Sequence, residues 1–221
     1  MDVIEAIKSR KSVRAFKAEP VPREVLQAIM EAVLRAPSWA NTQPWEFAIL
    51  GGETMEKVRT AVADKASSGD TPNLDIPWPN FEGPYRERMH STGRRLFQEM
   101  GIAREDKEAR QNWMLAMTRF FDAPNAIIVY MDASLGEWSL VDIGLAVESL
   151  MLAAWHYGVG TCPEAAVVQY PEALRGLLKI PESKRIILGL AVGYPDLSSP
   201  AMKLRSEREP LEALVVWHGF A

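Results

Sequence analysis

The chain of 221 residues is short of several things, and each shortage closes off a class of function. Its one cysteine, Cys162, rules out an intrachain disulfide and fits a reducing, cytoplasmic setting. The three histidines, His90, His156 and His218, are scattered and match neither a zinc spacing nor a catalytic triad, so no metal is expected. No charge of one sign dominates: a net charge of -4 makes no electrostatic case for nucleic acid or an acidic membrane surface. The longest apolar runs are interrupted by Glu, Asp or His, so no segment is expected to span a membrane. Met1 to Glu5 reads as a helix start, not as a charged-then-apolar leader. Phosphate-cradling glycine motifs are missing as well. Gly158-Val159-Gly160 lacks the third glycine of a dinucleotide fingerprint, and no Gly-x-x-x-x-Gly-Lys-Ser/Thr occurs.

What remains is an ordinary globular composition, 48% hydrophobic and 24% charged, without repeats or an internal boundary. One domain over residues 1–221 is expected. Asp2 can cap a first helix with Val3, Ile4 and Ile7 on one face, and Pro22 opens a second carrying Val25, Leu26, Ile29, Val33 and Leu34. Strands are expected at 45–50, 125–131 and 185–192, the middle one buried on both faces. Helices are expected near 55–66, 85–100, 105–120 and 171–178. Ser139–Tyr157 is apolar around nearly its whole circumference, which predicts a central buried helix. The tail from Gly193 shows little helical pattern, yet its apolar finish Leu214–Trp217 must pack on its own domain or on a partner. Few strands among more helices, without βαβ alternation, indicate an α+β fold.

Four segments carry chemistry. Arg10, Lys11, Ser12 and Arg14 lie where a helix C-terminus repels anions, so any phosphate there must be held by the side chains. Taken alone, such cations complement the helix dipole. The Pro-bounded loop from Pro37 supplies Ser38, Asn41 and Gln43, whose amides both donate and accept, although Asn in a turn often bonds only its own backbone. Gly160 to Ala166 follows the apolar helix, and within it Cys162 reads as a small buried hydrophobe. The tail adds Lys203, Arg205 and Arg208.

In this order and spacing the segments resemble the nitroreductase family of FMN-dependent oxidoreductases. Arg10-Lys11-Ser12-Val13-Arg14 is similar to the family's Arg-x-Ser-x-Arg start, and Pro37-Ser38-Trp39-Ala40-Asn41-Thr42-Gln43-Pro44-Trp45 to its Pro-Ser-x-x-Asn-x-Gln-Pro-Trp loop. The resemblance implies a central mixed or antiparallel sheet flanked by helices, an intertwined homodimer, and FMN sites at the interface. It puts Arg10 and Ser12 on the phosphate, closed over by Arg208 or, less well matched, Arg205. Pro37, Ser38, Asn41 and Gln43 fall on the ring, often that of the other subunit. Cys162, Pro163, Glu164 and Ala165 lie along its reactive edge, with Glu164-Ala165 where relatives commonly carry Glu-Gly. NADH or NADPH would bind transiently, and a nitroaromatic or quinone-like acceptor would follow, with no acid–base residue nominated.

Tyr85-Arg86-Glu87-Arg88, Met100-Gly101-Ile102 and Phe120–Pro124 are similar to the branch that includes nitrobenzoate reductases. The segment 68–124 begins with a long loop holding four of the fifteen prolines and is expected to cap the active site. Phe120 and Phe121 would sandwich the acceptor, and one of Arg86, Arg88, Arg94 or Arg95 would pair with its carboxylate. On composition alone, four arginines on a polar helix simply face water. Three alternatives stay open at this point: a flavin-modifying or dehalogenating enzyme on the same fold, a flavin-binding sensor or storage protein without turnover, and a flavin-free interaction protein.

Overall fold

The computed structural model describes residues 1–220. Its centre is β2 (Asn125–Asp132), whose apolar run is buried on both faces as the pattern required. β2 pairs antiparallel with β1 (Glu46–Leu50) on one side and with β4 (Lys184–Gly193) on the other. β4 in turn carries β3 (Gly160–Glu164), giving an antiparallel sheet of order β1-β2-β4-β3. Alternation along β2 splits the core in two. Ile128 packs with Val58, Trp113 and Leu174, from helices α3 (Gly52–Ser68), α5 (Lys107–Thr118) and α7 (Pro171–Leu178). Ile127 and Val129 pack with Ile29 and Leu150, from α2 (Arg23–Val33) and α6 (Trp138–His156). Asn125 is buried and ties strands to loop: its Oδ1 accepts from Val21 N at 2.8 Å and its Nδ2 donates to Leu50 O at 3.1 Å.

The remaining helices are α1 (Val3–Ser9), α4 (Gly83–Glu99) and the single turn α8 (Leu211–Leu214). Asp2 caps α1 as expected, accepting from Ile4 N at 2.9 Å.

Two expectations about α6 change, one strand is unanticipated, and one alternative is narrowed. β3 is a strand although Gly160 and Pro163 read as breakers; it lies at the sheet edge, where a proline without an N–H is tolerated. α6 is not covered all round: Ile143, Ala146, Leu150 and Ala154 are buried, whereas Trp138 is 72% exposed and Val141 and Leu145 lie beside it in the open. α6 is also, by length and composition, apolar enough to cross a bilayer, contrary to the argument from interrupted runs. Its packing against α2 and the sheet, with Asp142 buried, makes it the core helix of the fold. Finally, Ala201, Met202 and Leu204 anchor the start of the tail in the core, whereas the apolar face of α1 and the finish Leu214, Val216, Trp217 and Phe220 are exposed, so of the two expected coverings the finish does not find its own domain.

Candidate active site

The chain folds three separated segments onto one another. Val13 N donates to Thr161 O at 2.9 Å, a parallel bridge between Ser12 and Thr161 that lays residues 10–14 along the outer edge of β3. The approach requires glycine at 160, where a Cβ would sit 2.5 Å from Val13 Cγ2. Lys11 Nζ donates to Met202 O at 2.6 Å, and the Arg205 guanidinium donates to Lys8 O. Phe16 and Pro195 form a further bridge. The cationic start, the Gly160–Ala165 segment and the tail are thereby one place.

That place contains polar groups without partners. Among the described residues Arg10 Nε is buried and unbonded, with the carboxylate of Glu148 on α6 at 3.7 Å. Glu164 is 6% exposed and, among the described residues, neither carboxylate oxygen has a partner. Burial drives its pKa well above the ordinary value, against the pull of the Arg14 charge. Burial likewise pushes the Cys162 thiol up to about 12, with the Glu164 charge adding to it and Arg14, Ser12 and Arg10 opposing. Cys162 is therefore no thiolate nucleophile, as its lack of a matching histidine suggested. Native structures rarely leave buried polar groups unbonded, which makes the cluster a candidate ligand site. The unbonded Arg10 Nε, with the Lys11 N–H groups not spent on Met202 and the Ser12 hydroxyl beside it, could hold a phosphate, and Glu164 could accept from a ring N–H.

The loop 37–43 is a single 3₁₀ turn, Trp39–Asn41, with three non-glycine residues at positive φ: Ala40 at 49°, Asn41 at 60° and Gln43 at 47°. Such backbone costs of order 1–3 kcal/mol per residue and persists where function keeps it. Gln43 N donates to Ser38 Oγ at 3.0 Å and Gln43 Nε2 to Asn41 O at 3.2 Å, so Ser38 serves the loop itself. From outside the loop, Asp142 Oδ1 accepts from Trp39 N at 3.2 Å. Asn41 and Gln43 are exposed. Among the described residues, no hydrogen bond joins this loop to residues 10–14 or to β3. It borders instead a cavity of about 460 Å³ walled by Trp39, Trp138, Val141 and Leu145.

A family model described as Nitroreductase family matches residues 7–194. The chain belongs to the nitroreductase family. It is 34% identical over 214 residues to the chloronitrobenzene nitroreductase of Comamonas testosteroni, covering 94% of this chain and 93% of that protein. It is 30% identical over 221 residues to a 4-nitrobenzoate reductase of Pseudomonas putida, covering 99% and 96%. The crystal structure of the FMN and NADPH-dependent nitroreductase NfnB from Sphigopyxis sp. strain HMH superposes with a TM-score of 0.96 at 30% identity, covering 100% of both chains. The nitroreductase-like α+β fold is thus established, and its sheet here is antiparallel throughout.

Within this nitroreductase the structure redistributes several expected roles. Of the two tail arginines it brings Arg205 to the cationic start, whereas Arg208 bonds its own turn through Ser206 Oγ at 2.8 Å and Glu207 O at 2.9 Å. Phe120 and Phe121 do not face an acceptor. Phe120 is 0% exposed and Phe121 packs at a tilt against Trp113, ring centroids 5.2 Å apart, both inside the core beneath α5. A tight turn with φ of 57° and 49° drives the two rings inward, which alternation and composition do not reveal. Arg88 pairs with Glu209 at 2.6 Å and Arg95 with Glu207 at 2.8 Å; among the described residues Arg86 and Arg94 have no carboxylate partner. The loop before α4 is pinned, not loose: Asp75 Oδ2 accepts from Arg175 at 2.6 Å and from Ile186 N at 2.7 Å. The anchoring role of Asp142 on the loop was not assigned from sequence, although a carboxylate near the start of the most apolar helix of the chain stands out.

Proposed function

We infer that this protein is an FMN-dependent oxidoreductase that accepts a hydride from NADH or NADPH and then reduces a nitroaromatic or quinone-like acceptor. The observation that carries the reading is the convergence of residues 10–14, β3 and the tail on an unpartnered Arg10 Nε and an unpartnered Glu164. When bound, FMN supplies the two-electron chemistry. The protein's own work is to hold and orient it. Arg10, Lys11 and Ser12 hold the phosphate and Arg205 closes over it, with Arg14 and the Cys162–Ala165 segment along the ring.

A homodimer completes the site. The bare faces of α1 and α6 and the tail form a large apolar surface, with Ile4 54% and Trp217 63% exposed, of the kind an obligate interface covers. Across that interface Pro37, Ser38, Asn41 and Gln43 reach the ring of the partner's flavin, which explains their separation from the cradle of their own chain. The segment 68–124 forms the cap over the acceptor side, with Arg86 and Arg88 near its rim. The reaction belongs in the cytoplasm, with neither nucleic acid nor membrane as partner.

Purified protein should show the absorbance of bound FMN, bleach on anaerobic addition of NADH or NADPH, and recover on addition of a nitroaromatic. Protein that stays colourless after reconstitution with FMN, or whose flavin no nicotinamide reduces, defeats the reading.

A further inference from the structure

The helices α4 and α5 leave between them an open groove of about 780 Å³, far richer in apolar than polar lining and walled by Met89, Phe97 and Ile102. Arg94, Arg104 and Arg110 also line it. Among the described residues none of these three pairs with a carboxylate, in contrast to Arg88 and Arg95 on the other side of the same helix. Arg110 is already positioned. Its Nε donates to Ala103 O at 3.0 Å and its guanidinium lies 4.2 Å above the Phe97 ring, which leaves its terminal N–H groups unspent. A planar cation held flat on an aromatic ring offers its free face for stacking and its edge for a bidentate anion. The groove asks for one ligand with two parts, a flat ring system and a group of high negative charge.

We propose that this groove binds the phosphorylated adenosine end of NADPH and makes the enzyme prefer NADPH over NADH. The proposal rests on the reading of a nicotinamide dinucleotide as the reductant. Adenine stacks on Arg110 above Phe97, and Arg94 and Arg104 take the 2′-phosphate that NADH lacks. A phosphomonoester dianion matches three unpaired guanidiniums better than a benzoate monoanion does, and the volume suits a nucleoside more than a single ring. Side chains must supply this recognition because no glycine-rich dinucleotide loop exists in the chain.

Calorimetric titration of the FMN-loaded enzyme with adenosine 2′,5′-bisphosphate and with adenosine 5′-monophosphate tests the proposal directly. The bisphosphate should bind at least tenfold more tightly. Arg94→Ala, Arg104→Ala and Arg110→Ala, each checked for an unchanged melting temperature, should weaken the bisphosphate by roughly tenfold, the worth of one charge-assisted bond. In steady state the same variants should lower the ratio of kcat/KM for NADPH over NADH. Equal binding of the two nucleotides overturns the proposal, as does undiminished bisphosphate binding in all three variants. So does a loss confined to 4-nitrobenzoate, which would assign the groove to an acceptor carboxylate. A protein that binds no FMN would defeat the function inferred above, and the same nucleotide titrations run on the flavin-free protein would still read the groove.

Discussion

The cradle around Arg10 and the segment 68–124 were built by different kinds of information. In the cradle, short motifs far apart in sequence carry their chemistry in the side-chain types themselves, and the sheet edge brings them together. In the segment, chemistry-bearing residues occur on nearly every turn, and only tertiary structure decides which meet a ligand, a carboxylate or the core. Arg88 and Arg95 are spent on the tail, Phe120 is spent on the core, and Arg94 is left open.

The sharpest way to break this contrast is Phe120→Ala. A ring this buried should cost about 3–5 kcal/mol of stability when removed, with no selective change in KM among acceptors. Denaturant unfolding measures the loss; a variant of normal stability but altered acceptor preference would return Phe120 to the substrate face. Next in size is Arg10→Glu, which replaces an attraction with a repulsion in the cradle. Charge-assisted bonds contribute roughly 1.5–3 kcal/mol, so FMN affinity should fall about 100-fold or more. Flavin fluorescence during titration reads this, and stoichiometric FMN in the purified variant would remove Arg10 from the phosphate site.

Glu164 separates the buried cradle from the solvated helices by its pH behaviour. Its folded pKa is raised, so the folded state holds the proton more tightly than the unfolded chain. The flavin-free protein is therefore relatively stabilised at low pH and loses that stability as pH climbs from near 4.5, the ordinary glutamate value, through the raised one. Glu164→Gln should flatten this decline and become the more stable protein at the alkaline end. Parallel stability curves for the two proteins would mean that the carboxyl finds a partner. A smaller effect belongs to Asp142→Ala, which removes the acceptor for Trp39 N and should cost about 1–2 kcal/mol, loosening the loop to proteolysis. Asp142→Asn keeps an acceptor and should behave like wild type.

Legibility follows the range of the forces involved. Local signals worked: Asp2 caps α1, Pro22 precedes α2, Pro171 opens α7, and the β-branched runs became β2 and β4. β3 escaped because its strand character comes from pairing with β4, against the local preferences of Gly160 and Pro163. The openness of one α6 face escaped because hydrophobicity states that a face must be covered, not by which chain. For the site, residue types marked the motifs of the cradle, but which tail arginine reaches it depended on a loop path that no local rule encodes.

That last point yields the finest comparison, between two arginines three positions apart. Arg205 donates to the carbonyl of Lys8, two residues from Arg10. Arg208 instead folds onto Ser206 and Glu207, along a groove shared with Arg88 and Arg95. Motif matching favours Arg208 and geometry favours Arg205. Replacing each with alanine decides between them, because both are exposed and neither change opens a cavity. Arg205→Ala should weaken FMN by about tenfold, roughly 1.4 kcal/mol, through loss of one exposed charge-assisted contact. Arg208→Ala should leave FMN affinity within about twofold, the usual reach of a surface substitution away from a site. The reverse order of losses would mean that the tail rearranges when flavin binds, and that sequence similarity identified the clamp more accurately than the geometry of the flavin-free chain.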